Sequence, residues 1–183
     1  MNDDRSRFTP LQRVLHWVMA LGILTMLFVG VGMVSTIGPA YLTLVSFHKP
    51  LGLAILVLAL ARLAVRLRHG APALPADLPE PIKLAARLSH VAFYVLMISM
   101  PLLGWAMLSA AGYPVVVGGF ELPPIAPPDA ALHSVLWNAH RALAFGFFAL
   151  FLLHLAGALF HAWVRRDGVF HAMAPTPSRP GRR

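Results

Sequence analysis

With 183 residues, of which 58% are apolar and only 12% charged, the chain is too apolar for an ordinary soluble domain, where about a quarter of residues carry charge. It has no cysteine, which excludes disulfides, iron–sulfur clusters, thiolate nucleophiles and C-x-x-C-H haem attachment, so any redox or metal chemistry runs through its 9 histidines. The formal charge of +8 comes from basic residues sorted along the chain rather than gathered in a patch, and no nucleic-acid partner is expected.

Thr9-Pro10-Leu11-Gln12 reads as a helix start: Thr9 as N-cap, Pro10 at the first helical position and Gln12 completing a capping box. No Lys, Arg, Asp or Glu occurs from Val14 to His48, which is long enough for one membrane crossing and a Gly38-Pro39 turn. The apolar core exceeds a signal-peptide h-region, so residues 11–34 are span 1. His48-Lys49-Pro50 opens span 2, over 46–67, with Arg62 and Arg66 one turn apart near its far end. The connection from Arg68 to Lys83 carries four prolines and is expected to be extended, without helix.

Span 3 covers 84–109, with His90 near its start and Pro101 near its middle, where the lost backbone bond predicts a kink. Residues 110–128 mix Gly, Pro and apolar residues and are expected to fold over the membrane face, and Asp129 can cap the approach to the next helix. Span 4, over 137–164, holds no acidic residue yet carries His140, His154 and His161. Fourteen residues of helix advance about 21 Å and return close to the same face, so His140 and His154 look one way from two depths, and His161 repeats that face. Residues 1–174 form one membrane domain, and 175–183 are a disordered cytoplasmic tail.

Of the 15 Lys and Arg, all but Lys49 and Arg141 fall at the termini or around the connection between spans 2 and 3. By the positive-inside rule both termini are cytoplasmic. The expected fold is all-α: an integral membrane four-helix bundle. His16 and His154 then share the inner depth, and His48 and His140 the outer one. Two depth-matched pairs between facing helices point to two bis-histidine b-type haems within the bundle; the competing reading is four interfacial histidines bonded to backbone or water. Arg62 lies 14 residues after His48, at inner depth, with no acidic residue in any span to meet it, and a haem propionate suits it. His161 and His90, with Arg87 one turn before His90, are candidates for a quinone carbonyl at the inner rim. His133 is expected along the outer rim.

The stretches T-P-L-Q-R-V-L-H-W (9–17), S-F-H-K-P-L-G (46–52), A-R-L-A-V-R-L (61–67), L-S-H-V-A-F-Y (88–94) and A-H-R-A-L-A-F with L-L-H-L (139–155) resemble the bacterial cytochrome b561 family over about residues 7–173. The resemblance implies a multi-pass inner-membrane cytochrome with two haem b groups, held by His16 with His154 and by His48 with His140. It further implies that superoxide is oxidised at the outer side and ubiquinone reduced near His161 and His90. Lys49 and Arg141 sit beside the two outer ligands, where they can steer an anion, although Glu121 and Asp129 balance them formally. Two other readings stay open: a cytochrome subunit that relays electrons from a partner redox protein, and a histidine-lined metal or proton transporter. The latter lacks the acidic span residues that hard cations require.

Overall fold

In the computed structural model, which describes residues 7–175, the chain is almost entirely helical. Helix α1 (Pro10–Ser35) starts at the expected capping box: Gln12 N donates to Thr9 Oγ1 at 3.3 Å, and the Gln12 side chain accepts from Thr9 N at 3.0 Å. Helices α2 (Pro39–His69), α3 (Glu80–Ala110) and α4 (Ala130–Phe160) follow. Each of the four is long and apolar enough to cross a membrane, which needs about 20 residues.

The helices are longer than the apolar runs, and their starts show why. Gly38, at φ 100°, reverses the chain, and Pro39 then occupies the first turn of α2, so His48 and Pro50 lie well inside that helix instead of opening it. The Glu80-Pro81-Ile82-Lys83 stretch, expected to be extended, is helical, because a proline in the first turn gives up an N–H that has no helical partner anyway. Asp129 caps α4 by accepting from Leu132 N at 2.8 Å.

Three features were not foreseen. Residues Val115–Val117 and Phe120–Leu122 pair as an antiparallel hairpin whose central Gly118 and Gly119 take φ of 60° and 86°, the positive angles that a two-residue turn of this kind demands. After α4, His161–Arg165 widens into a π turn, so the α-helical register that would set His161 on the face of His154 ends at Phe160. A short helix α5 (Val169–Met173) follows and returns beneath α1. The expected tail lies, beyond Pro175, outside the described residues.

Packing is tightest between α1 and α2 and between α3 and α4, with α2 also meeting α3. Gly22 faces Ile55 and Gly52 faces Met26 across the seam between α1 and α2. The buried core is one cluster drawn from all four helices: Met19, Ile23, Ile55, Ala59, Met97 and Phe147. Four of its members, Ile23, Ile55, Met97 and Phe147, fall on stripes that repeat every seven residues, about two helical turns. The stripes read His16, Ile23, Gly30 on α1; His48, Ile55, Arg62 on α2; His90, Met97, Gly104 on α3; and His140, Phe147, His154 on α4. Ile23, Ile55, Met97 and Phe147 thus form an apolar septum between two polar levels. One lies towards the chain termini, the other towards the hairpin.

The termini level is tied down by polar contacts. Gln12, 5% exposed, donates Nε2 to Gly70 O at 2.8 Å and so fastens α1 to the end of α2. Phe8 N donates to Ala172 O at 3.2 Å, Trp17 Nε1 to Met173 O at 2.9 Å and Arg13 Nη1 to Ala174 O at 3.2 Å, fastening α5 beneath α1. Gln12→Ala removes both a cap and the buried partner of Gly70 O. Unfolding of the purified protein, followed by far-ultraviolet dichroism, is expected to show a loss of about 1–3 kcal/mol.

Candidate functional site

The two levels bring together the histidines paired by depth. His16 on α1 and His154 on α4 have ring centroids 6.4 Å apart, and His48 on α2 and His140 on α4 are 6.1 Å apart. All four rings are half-buried. A metal ion bonded to two imidazole nitrogens at about 2 Å each sets the ring centres about 6 Å apart. The pairs match that spacing, and they are too far apart to hydrogen-bond to one another.

The ring nitrogens also lack the partners that a purely structural histidine finds. Nδ1 of His16, His48 and His140 is fully buried with no hydrogen-bond partner. His140 lies beside the Met100 carbonyl, but the contact does not reach hydrogen-bond geometry. Each such orphan costs about 1–3 kcal/mol, so three of them weigh heavily against a bundle that uses these histidines only for packing. Around the hairpin-side pair the other stripes supply glycine. A Cβ on Gly104 would come within 3.4 Å of His140 Cε1, and one on Gly30 would meet nothing within 4 Å.

The termini-side level is more crowded. His90 lies 6.0 Å from His154, and Phe93 packs edge-on against the same ring at 5.1 Å. By distance alone His154 therefore has two imidazole neighbours, a competition the sequence did not announce. The fully buried orphan Nδ1 belongs to His16 and not to His90, which favours His16 as the partner across the bundle. Arg62 is half-buried, stacks 5.9 Å over the Tyr94 ring and lies within electrostatic reach of His16, His90 and His154. No acidic side chain among the described residues pairs with it. Tyr94 was the missed member here; its place one turn after His90 is the signal that could have found it.

Other expected site residues lie elsewhere. Arg87 is exposed and makes no hydrogen bond or ion pair with another described residue. His133 does not line an open rim: its Nδ1 lies 3.0 Å from Met107 O and its ring tilts on Trp137, so it fastens α4 to α3. His161 bonds Asp167 at 2.7 Å and has no ring contact with His90. At the hairpin end, Arg141 lines a cavity of about 580 Å³ with Val34, Asn138, Ala142 and Phe145, and Lys49 Nζ reaches Pro114 O at 3.5 Å.

Comparison with known proteins gives the family. The family profile described as prokaryotic cytochrome b561 matches residues 7–176. The chain belongs to that family. It is 28% identical over 179 residues to cytochrome b561 homolog 1 of Escherichia coli K12, covering 93% of this chain and 98% of that protein. It is 30% identical over 131 residues to the probable superoxide oxidase CybB of Yersinia pestis, covering 70% and 73%, and 27% identical over 171 residues to cytochrome b561 homolog 2 of Escherichia coli K12, covering 91% and 90%. Membership makes the chain a membrane electron-transfer protein of an oxidoreductase family and implies b-type haem.

The residues fit such a group: opposed imidazoles at metal-bridging separation, unpartnered ring nitrogens, and a half-buried arginine with no acidic partner among the described residues. Separate levels predict separate losses. His154→Ala is expected to remove one haem's absorption and spin-resonance signals and leave the other's, His16→Ala the same, and His90→Ala neither. Loss of the signals in His90→Ala but not in His16→Ala would reverse the assignment on the termini side.

Proposed function

We propose that this b561 cytochrome carries electrons across the bacterial inner membrane from superoxide at the outer surface to ubiquinone at the cytoplasmic side, with both termini in the cytoplasm. The observation that carries the reading is the pair of stacked histidine levels, each with imidazoles at metal-bridging separation and an apolar septum between them. His16 and His154 hold the inner haem, and His48 and His140 the outer one. Bound haem supplies one-electron redox chemistry; the remainder falls to the polypeptide.

Arg62 anchors a propionate on the inner haem, its guanidinium held by the Tyr94 face. Met19, Ile23, Ile55, Met97 and Phe147 keep water and protons from crossing between the levels. Lys49 and Arg141 are the immediate sequence neighbours of the outer ligands and give that mouth a local positive field, while Asp129 lies at the start of α4, about three helical turns before His140. At the inner rim His161 meets a quinone carbonyl, with His90 and Arg87 as further candidates on α3. The family tie and the relative described as a probable superoxide oxidase support this direction of transfer.

A second reading rests on the hairpin. Phe120 at its tip is 79% exposed, and Tyr113 and Val116 beside it are exposed as well, so this end offers an apolar surface on which a donor protein could dock and use the chain as a relay. The protein purified alone and given superoxide separates the two. Prompt haem reduction with ubiquinol formation supports the oxidase, and neither without a partner supports the relay. For the oxidase, Lys49→Gln with Arg141→Gln is expected to slow haem reduction by superoxide about tenfold at low ionic strength, the difference shrinking as salt is added.

A further inference from the structure

The turn that ends α4 holds a cluster that haem binding does not use. His161 Nδ1 lies 2.7 Å from Asp167 Oδ2, and Arg165 Nε donates to the same oxygen at 2.9 Å. Val169 N donates to Asp167 Oδ1 at 3.2 Å, while the other end of Arg165 pairs with Asp77 on the connection between α2 and α3. The His161 and Asp167 side chains are 17% and 11% exposed. No described residue bonds to His161 Nε2.

The backbone is shaped to make this contact. The π turn closes with Arg166 N donating to His161 O at 2.9 Å, and Arg166 takes φ 54°, the one positive value at a non-glycine among the described residues. Such a conformation costs about 1 kcal/mol or more in a side-chain-bearing residue. Gly168 follows at φ 84°, so two left-handed residues bracket Asp167 and fold it back onto a ring six positions earlier. Arg165 and Val169 N alone would satisfy the carboxylate, so a turn-closing role leaves the histidine unexplained.

We propose that Asp167 is the positioning residue of His161, fixing its ring so that Nε2 is the atom that gives a proton to the quinone oxygen at the cytoplasmic rim. The proposal rests on the reading above that quinone is reduced at this end. An acceptor at Nδ1 holds the neutral ring in the tautomer that bears its proton there, with Nε2 bare. The imidazolium gives its Nε2 proton to one quinone oxygen as the electrons arrive, and the ring left behind is already the tautomer that takes the next proton from cytoplasmic water. Conversion of quinone to quinol consumes two electrons and two protons, and His161 delivers the proton for the oxygen it contacts.

Asp167 does not carry that proton itself. Burial pushes its carboxyl up, but the bonds from His161, Val169 N and Arg165 outweigh this and hold it below the usual carboxylate range. The charged and titratable groups around the dyad are Arg165 and Arg166 on the same turn, Asp77 on the α2–α3 connection and the exposed His171 on α5.

The test is Asp167→Asn in the haem-loaded protein, read in three ways. Nitrogen NMR of the His161 ring is expected to show the Nδ1–H tautomer in the parent and a mixture in the variant. Ubiquinol turnover is expected to fall about 10–100-fold with KM for ubiquinone-1 unchanged, and to become slower in heavy water, while the haem spectrum stays as in the parent. Asp167→Glu should recover much of the rate. Unchanged turnover, or a rise in KM alone, overturns the proposal, as does an Asp167→Glu protein no faster than Asp167→Asn, which also decides the matter if Asp167→Asn disturbs the haems. His161→Gln separates the two readings: full turnover in it removes quinone from this site, whereas a slow His161→Gln beside a fast Asp167→Asn removes only the role of Asp167.

Discussion

The bundle depends on one constraint: inside a membrane every polar group needs a partner, and several here find none in the polypeptide. The ring nitrogens of His16, His48 and His140 are buried and unbonded, and Arg62 has an aromatic face but no anion. A membrane protein that merely packed four helices would replace these groups with leucine and gain stability. Their placement on two levels of one interior converts a folding liability into ligand specificity, since a flat group with a central metal and acidic edges satisfies rings and guanidinium together.

The seven-residue stripes explain how the chain delivers these groups in register. Seven residues are about two turns, near 10.5 Å of axis, so every helix presents one residue to each level and one to the septum. Helices α2 and α4 run the same way, so His48 meets His140 and Arg62 arrives beside His154, while α1, antiparallel to both, brings His16 to that same level. The septum is also continuous with the termini-side pair: Phe93 contacts Phe147 at 5.8 Å and the His154 ring at 5.1 Å. Apolar packing here does more than fill volume. It fixes the separation of the two histidine levels and sets apolar side chains between them.

Much of this was legible in the sequence because it rests on local rules. The capping box at Thr9 and the cap at Asp129 are short-range patterns with a mechanism, and the 14-residue spacing of His140 and His154 follows from helix geometry alone. What was not legible depends on contacts between segments remote in sequence. Nothing local says that Gln12 reaches Gly70, that Tyr94 receives Arg62, or that His133 bonds across to Met107. The hairpin was hidden because its strands are only three residues each, too short for periodicity, although the Gly118-Gly119 pair was a turn signal. The π turn was hidden because His161 sits seven residues after His154, a spacing that an unbroken helix would also give.

The two ends of the bundle are built differently, and the difference bears on which chemistry each can support. At the hairpin end the connections are apolar and glycine-rich, with Arg141 facing an open cavity and Lys49 held only by a long contact to Pro114 O. At the termini end the chain spends a left-handed arginine, a π turn and a folded-back helix on holding acids, bases and backbone carbonyls in fixed relation. Passing an electron needs no such order, because it depends on separation and on the surrounding dielectric. Passing a proton does, because the donor atom must lie within hydrogen-bond reach of its acceptor and in the correct tautomer. The expensive geometry lies at the end where the reading above requires protons, and the end without it is the one asked only to admit electrons.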